Sequence, residues 1–150
     1  MLGILTDTEI RDLLNAQLIG RIGCHTDGKT YVVPVNYLYD GTSILAHSGN
    51  GLKIAMMRKN PEVCFEVDDI KNVVNWKSAI LQGTFQEIVD ISEKEEALQN
   101  LINRVVPFLG SDANPSHGIT ADEYSIGDTV ELVIYKIIIR EMTGRFEKHG

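Results

Sequence analysis

The residues able to do chemistry gather in one stretch, positions 41–68. An apolar run, Ser43-Ile44-Leu45-Ala46, leads to His47 and Ser48, and Gly49-Asn50-Gly51 then turns the chain into a helical pattern carrying Lys53, Arg58 and Lys59. A strand, a glycine turn and a helix opening with lysine make an anion cradle, because backbone N–H groups at a helix start are unpaired and carry partial positive charge. Gly49 and Gly51 let the backbone approach a ligand closely or adopt positive φ. The same spacing also suits an ordinary strand-to-helix turn with a surface lysine, since short glycine motifs recur without function. Elsewhere Asn36, Trp76 and Ser78 interrupt otherwise apolar strands. Each polar group has a structural alternative: His47 as a hydrogen-bonded strand-end histidine, Ser48 as a helix cap, Asn36 as a partner for backbone near Pro34, Trp76 as core. Together they are expected at one end of the sheet.

The bulk properties narrow the partners. With 14 basic and 21 acidic residues, the net charge of -7 argues against non-specific nucleic-acid binding. An anionic ligand must therefore be held by a local cluster of donors. The 150 residues suit one domain spanning the whole chain. Cys24 and Cys64 lie far apart, form no metal-spaced pair and fall in expected strands, where a free thiol acts as a small hydrophobe. No metal site is expected. No apolar run approaches the roughly 18 residues that span a bilayer, and no signal peptide is visible. The expectation is a cytoplasmic protein without membrane contact.

The positioning elements follow from periodicity. Thr6-Asp7-Thr8-Glu9 forms a capping box ahead of Ile10, Leu13, Leu14 and Leu18 at helical spacing, with Gly20 marking the end. A strand over 21–26, the Asp27-Gly28 turn and a strand over 30–39 predict a hairpin, with Pro34 placing the second strand at an edge. Asp40-Gly41 predicts a second hairpin into the strand that ends at His47. After the central helix, Asn60-Pro61 precedes a strand over 63–67, and 68–72 reads as a polar break. A long strand over 73–89 carries a bend or bulge at Gly83. Ser92-Glu93-Lys94-Glu95 predicts a second capping box, for a helix with Ala97, Leu98, Leu101, Ile102 and Val105 as its buried stripe. Residues 108–128 are patternless and suit a lid or binding loop. A last strand over 129–142 is apolar on both faces and so must be covered on both. The inventory is about six antiparallel strands with three helices, a mainly β meander or Greek-key barrel.

Five separated motifs carry a family resemblance. They are Val33-Pro34-Val35-Asn36-Tyr37, Leu45-Ala46-His47-Ser48, Gly51-Leu52-Lys53, the run Asn60-Pro61-Glu62-Val63-Cys64-Phe65-Glu66-Val67-Asp68, and Trp76-Lys77-Ser78-Ala79-Ile80 with Gly83. In this order they resemble the pyridoxamine 5'-phosphate oxidase-related split-barrel flavoproteins, and most nearly the nitroimidazole-resistance-like branch. The resemblance runs from Leu14 to Arg145. It implies a six-stranded antiparallel split β-barrel, a homodimer, and FMN at the dimer interface. It further implies that His47 and Ser48 lie against the flavin and its phosphate, and that Lys53 holds the phosphate. Val35, Asn36 and Tyr37 would line the ring, with Trp76 and Ser78 approaching from nearby or from the partner subunit. His47 is the candidate catalytic residue, as a proton donor or substrate contact.

One departure matters. Oxidases of pyridoxamine phosphate carry a Trp- and Arg-rich C-terminal segment, whereas residues 140–150 here contain no tryptophan, and Leu52 stands in the cradle where a further cation would help. The resemblance therefore implies an FMN-dependent reductase taking electrons from NAD(P)H to a small acceptor, rather than a vitamin B6 oxidase. The alternative is a non-catalytic split barrel that binds flavin or haem.

Overall fold

The computed structural model describes residues 1–108 and 132–150. Along the chain come β1 (Leu2–Ile4), α1 (Asp7–Ala16), β2 (Ile19–Thr26), β3 (Lys29–Asn36), β4 (Leu38–Tyr39), β5 (Ser43–Gly49) and α2 (Leu52–Lys59). Then follow β6 (Glu62–Asn72), β7 (Asn75–Glu87), α3 (Ile91–Val105), a 3-10 turn (Val106–Phe108) and β8 (Leu132–Glu147). All strand pairs are antiparallel, in the order β3-β2-β6-β7-β8-β5-β4, with β1 on the far end of β8. The two edge strands, β3 and β4, are consecutive in the chain and separated only by Tyr37. The sheet must therefore curl until its edges meet, which makes it a barrel.

Eight described strands stand where about six were expected, for two local reasons. The expected N-terminal arm pairs with β8, Leu2 opposite Glu147. The expected strand over 30–39 breaks at Tyr37 into β3 and β4, which pair with different neighbours. Pro34 does lie on an edge strand, where its missing N–H costs no ladder bond. The turn between β2 and β3 has positive φ at Asp27 (53°) and Gly28 (78°), as a two-residue hairpin of this twist requires.

Several expected boundaries shift. The α1 capping box is present, but the helix ends at Ala16 with Gln17 as its cap, and Gly20 belongs to β2. A Cβ at Gly20 would stand 2.1 Å from the Phe65 ring, so that glycine is needed for packing. Residues 68–72 continue β6 instead of breaking it: Asp68 pairs with Ser78 and Asp69 with Lys77 across the ladder. Their charges are tolerated because Arg21 lies 2.9 Å from Asp68 and Lys71 lies 3.7 Å from Asp69. The N-cap of α3 is Asp90, which accepts the Glu93 N–H at 3.0 Å, so Ser92 sits within the first turn. β8 runs to Glu147, past Met142; the start expected at 129 and nearly all of the 108–128 loop lie outside the described residues. Gly83 marks a register shift against β8, as expected of a bulge.

Two cores form on the two faces of the sheet. Inside the barrel, Val133, Tyr135 and Ile137 of β8 pack with Ile22, Tyr37, Ala46, Phe65, Leu81 and the α2 residues Ile54 and Met57. Outside it, Ile134 joins Leu45 and Ile88 beneath Ala97 and Leu101 of α3. Thus α3 supplies the second cover that an apolar strand requires. At about 1.5–3 kcal/mol for each fully buried large side chain, these two cores hold the barrel shut.

Candidate functional site

The two strands that should close the barrel separate at one end. β4 pairs with β5 only at Leu38–Leu45 and Tyr39–Ile44. Beyond that point Ala46, His47 and Ser48 pair with Tyr135, Ile134 and Val133 of β8 on one side, and no described strand pairs with them on the other. β3 likewise pairs with β2 alone. Half of the backbone groups of each strand therefore point from a free edge.

Tyr37 fixes the fork. Its N–H donates to the Leu18 carbonyl at 3.1 Å and its hydroxyl to the Leu14 carbonyl at 2.7 Å. Its ring meets Phe65 edge-on, centroids 4.9 Å apart. Val35 and Tyr37 are buried in the core, so they offer the split backbone more than side chain, while Asn36 is exposed.

α2 begins beside this split. Its N-cap is Gly51, with no side-chain cap, so the first N–H groups of the helix take no side-chain acceptor. Neither Gly49 nor Gly51 has positive φ, and a Cβ at either would meet nothing within 4 Å. Their value is open space against the backbone, not left-handed geometry. Ser48 is not a helix cap: its hydroxyl donates to the Gly49 carbonyl at 2.8 Å.

Lys53, in the first turn of α2, is half-buried and makes no ion pair among the described residues. Burial pushes its ammonium below the usual lysine range, opposed by the nearby Cys24. His47 is pushed down to about 4, first by burial and then by the charge on Lys53. At neutral pH the site thus holds a neutral imidazole beside a cation that no described carboxylate neutralises. Arg58, the other candidate cation, is occupied: it binds Glu87 at 2.5 Å and the Asn50 side chain at 2.9 Å, pinning the glycine turn to the end of β7. One ammonium, one hydroxyl and uncapped helix N–H groups form a donor set that suits a phosphate.

Trp76 and Ser78 are not brought to this place within one chain. Trp76 pairs with Glu147 and Ser78 with Arg145, thirteen and eleven positions along β8 from Ile134, the partner of His47. At about 3.3 Å per residue that is roughly 35–45 Å of strand. The Ser78 hydroxyl donates to Glu66 at 2.7 Å, and Glu66 and Asp68 share Arg21. Burial, ahead of the hydrogen bond from Ser78, raises the Glu66 carboxyl above its ordinary range. Of the polar residues expected together at one end of the sheet, Asn36, His47, Ser48 and Lys53 lie on the strands and helix that border the split, and Trp76 and Ser78 do not. Cys24, expected to be a free thiol acting as a small hydrophobe in a strand, is buried in β2 with its thiol 4.0 Å from Met56, and it also lies near Lys53. What the sequence does not show is its nearness to Lys53, because β2 and α2 are distant in the chain.

Among the described residues no helix is long and apolar enough to cross a membrane, and no three His, Cys, Asp or Glu residues are grouped to hold a metal. Residues 6–146 match the pyridoxamine 5'-phosphate oxidase family. An uncharacterized protein of Rhizobium meliloti (strain 1021) is 29% identical over 85 residues, which are 57% of this chain and little more than half, 56%, of that relative. An FAD-binding protein of Mesorhizobium loti superimposes with a TM-score of 0.76 at 27% identity, covering 99% of both chains. The FAD and haem binding protein of Mycobacterium smegmatis gives 0.74 at 16% identity, covering 99% of this chain and 74% of that one. A candidate 5-nitroimidazole resistance protein of Bacteroides thetaiotaomicron also gives 0.74, at 22% identity over 97% of this chain and 87% of its own. With a split barrel built from these strands and a family match over nearly its whole length, the chain belongs to the pyridoxamine 5'-phosphate oxidase family.

Proposed function

We propose that this protein is a flavin-dependent oxidoreductase that holds FMN in the split between β3 and β5, as a homodimer in the cytoplasm. The observation that carries this reading is Lys53: a half-buried cation, unmatched by any described carboxylate, at the uncapped start of a helix. The lysine ammonium, the Ser48 hydroxyl and the first N–H groups of α2 hold the phosphate. Each charge-assisted bond contributes about 1.5–3 kcal/mol. The free edges of β3 and β5, with the Asn36 side chain, face the ring system. His47, neutral at physiological pH, stands beside the ring as a hydrogen-bonding group; an anion bound at Lys53 raises its proton affinity and makes it a better proton donor. Trp76 and Ser78 can meet that flavin only from the second copy. Bound flavin supplies the redox chemistry, taking electrons from NAD(P)H to a small acceptor, and the protein supplies position and electrostatics.

The test is direct. The purified protein should show flavin absorbance, and the flavin released on denaturation should run as FMN by chromatography. FMN-loaded protein should consume NADPH or NADH with a quinone or nitroaromatic acceptor. A colourless protein that FMN does not stabilise against heat refutes the binding. A second reading is favoured by the FAD- and haem-binding structures that superimpose on the chain. It is a non-catalytic carrier of flavin or haem, and tight flavin without turnover selects it.

A further inference from the structure

The glycine turn ahead of α2 has little to hold it from within. β5 ends at Gly49, paired with Leu132 of β8, and the helix opens where the Ala55 N–H donates to the Gly51 carbonyl at 3.1 Å. Between them the exposed Asn50 belongs to neither element. The turn's own bonds converge on one atom: the Ser48 hydroxyl and the Gly51 N–H both donate to the Gly49 carbonyl, at 2.8 and 2.9 Å. Packing adds nothing at the two glycines, which stand in open space. Asn50 is tied to the body of the barrel by its side chain, whose Oδ1 accepts from Arg58 Nη1 at 2.9 Å.

Arg58 stands in the last turn of α2, and its side chain runs back toward the helix start, the direction in which helical side chains incline. The same guanidinium gives its Nε to Glu87 at 2.5 Å. Glu87 is a firm base: it ends β7 opposite Tyr135, and the next N–H, of Ile88, donates to the Ile134 carbonyl at 2.9 Å. A chain of side chains, Asn50 to Arg58 to Glu87, thus runs from a loose turn to a strand of the sheet. With 43% and 30% of their side chains exposed, Arg58 and Glu87 form a surface pair that adds little to the stability of the whole fold. Its effect falls on the turn. We infer that Arg58 and Glu87 are positioning residues for the anion site at Lys53: they hold the turn in the form that receives a phosphate and do not touch the phosphate themselves. The inference rests on the phosphate site proposed above. A loose turn must be ordered when the anion arrives, whereas this one is ordered beforehand.

The experiment measures FMN and riboflavin binding by fluorescence quenching in the full-length protein and in Arg58→Met, Asn50→Ala and Glu87→Gln. Riboflavin has the same ring without the phosphate, so the ratio of the two Kd values isolates the phosphate. Each variant should cut the preference for FMN by roughly threefold to tenfold, the cost of ordering one side chain and its turn, and leave riboflavin within about twofold. Glu87→Gln separates position from charge, because it keeps Arg58 and removes a negative charge. Were Arg58 only a second cation, Glu87→Gln would tighten FMN; acting through position, it weakens FMN. Ligand-free melting points should stay within about 4 °C of wild type, as expected of an exposed pair. An unchanged preference in Asn50→Ala and Glu87→Gln, or tighter FMN in Glu87→Gln, overturns the inference. So does an equal loss of FMN and riboflavin. A wild type that binds both alike overturns the phosphate site and this inference with it, whereas a wild-type preference that the variants keep overturns this inference alone.

Discussion

Replacing Lys53 with methionine separates a phosphate ligand from a structural lysine. The side chain is half-buried, burial already disfavours its charge, and no described carboxylate answers it. Methionine keeps most of the stem and removes the ammonium. The ligand-free protein should therefore be unharmed or slightly more stable, since removing a poorly solvated charge without a partner relieves a cost. The loaded protein should behave oppositely. One charge-assisted hydrogen bond is worth about 1.5–3 kcal/mol, which is roughly tenfold to 150-fold in Kd. At a flavin concentration 100 times the wild-type Kd, ligand stabilisation is about 2.7 kcal/mol, and a tenfold weaker site keeps about half of it. At roughly 2–4 °C per kcal/mol for a chain of this size, the melting shift produced by FMN should shrink by about 3–5 °C. Flavin fluorescence quenching gives the Kd and differential scanning fluorimetry gives both melting points. An FMN affinity within twofold of wild type refutes the cradle. Equal loss of stability with and without FMN shows that Lys53 is structural.

Three further outcomes follow from the same structure. His47 has a folded pKa of about 4 against an ordinary value of 6.5, so the unfolded chain binds more protons between those limits. Its contribution to stability is whole above pH 6.5 and is lost as the pH falls through 4; unfolding of ligand-free protein from pH 7.5 to 4 should lose this component in His47→Gln, and an unchanged slope refutes the assignment. Tyr135 is fully buried and its hydroxyl has no hydrogen-bond partner among the described residues. Tyr135→Phe should hold or raise stability in urea unfolding, by up to about 1–3 kcal/mol, and a clear fall would reveal a partner for that oxygen. At Gly83 a Cβ would come within 2.5 Å of Ile137 and 2.6 Å of the Ile138 carbonyl oxygen. Gly83→Ala should cost about 1–3 kcal/mol in the same measurement, because backbone on the neighbouring strand cannot yield as a flexible side chain would.

What was legible in the sequence was local. The Asp27-Gly28 turn, the Thr6–Glu9 capping box and the Gly83 bulge are each decided within a few residues, and each stands where its pattern puts it. The stripe of α3 faces the outer core for the same reason. What failed was set by distant partners. Residues 68–72 look like a break because their strand is polar, yet Arg21 from β2 neutralises Asp68 and lets the ladder run on. Gly20 looks like a helix stop because nothing nearby reveals that the Phe65 ring needs its missing side chain. The polar residues looked like one cluster because strand alternation gives a face but no position along the barrel. Only the register on β8 shows that Trp76 and His47 lie at opposite ends.

A net charge of -7 does not by itself exclude an anion at Lys53. At physiological ionic strength the screening length is about 8 Å, so carboxylates at the far end of the barrel scarcely act at Lys53. The charges near the split are what matter, and Glu87, at the end of β7, is already paired with Arg58. With Glu87 paired, Lys53 remains as local positive charge at a helix start that adds its own partial charge of the same sign. At Lys53 the charges already paired nearby matter more to an anion than the net charge of the chain does.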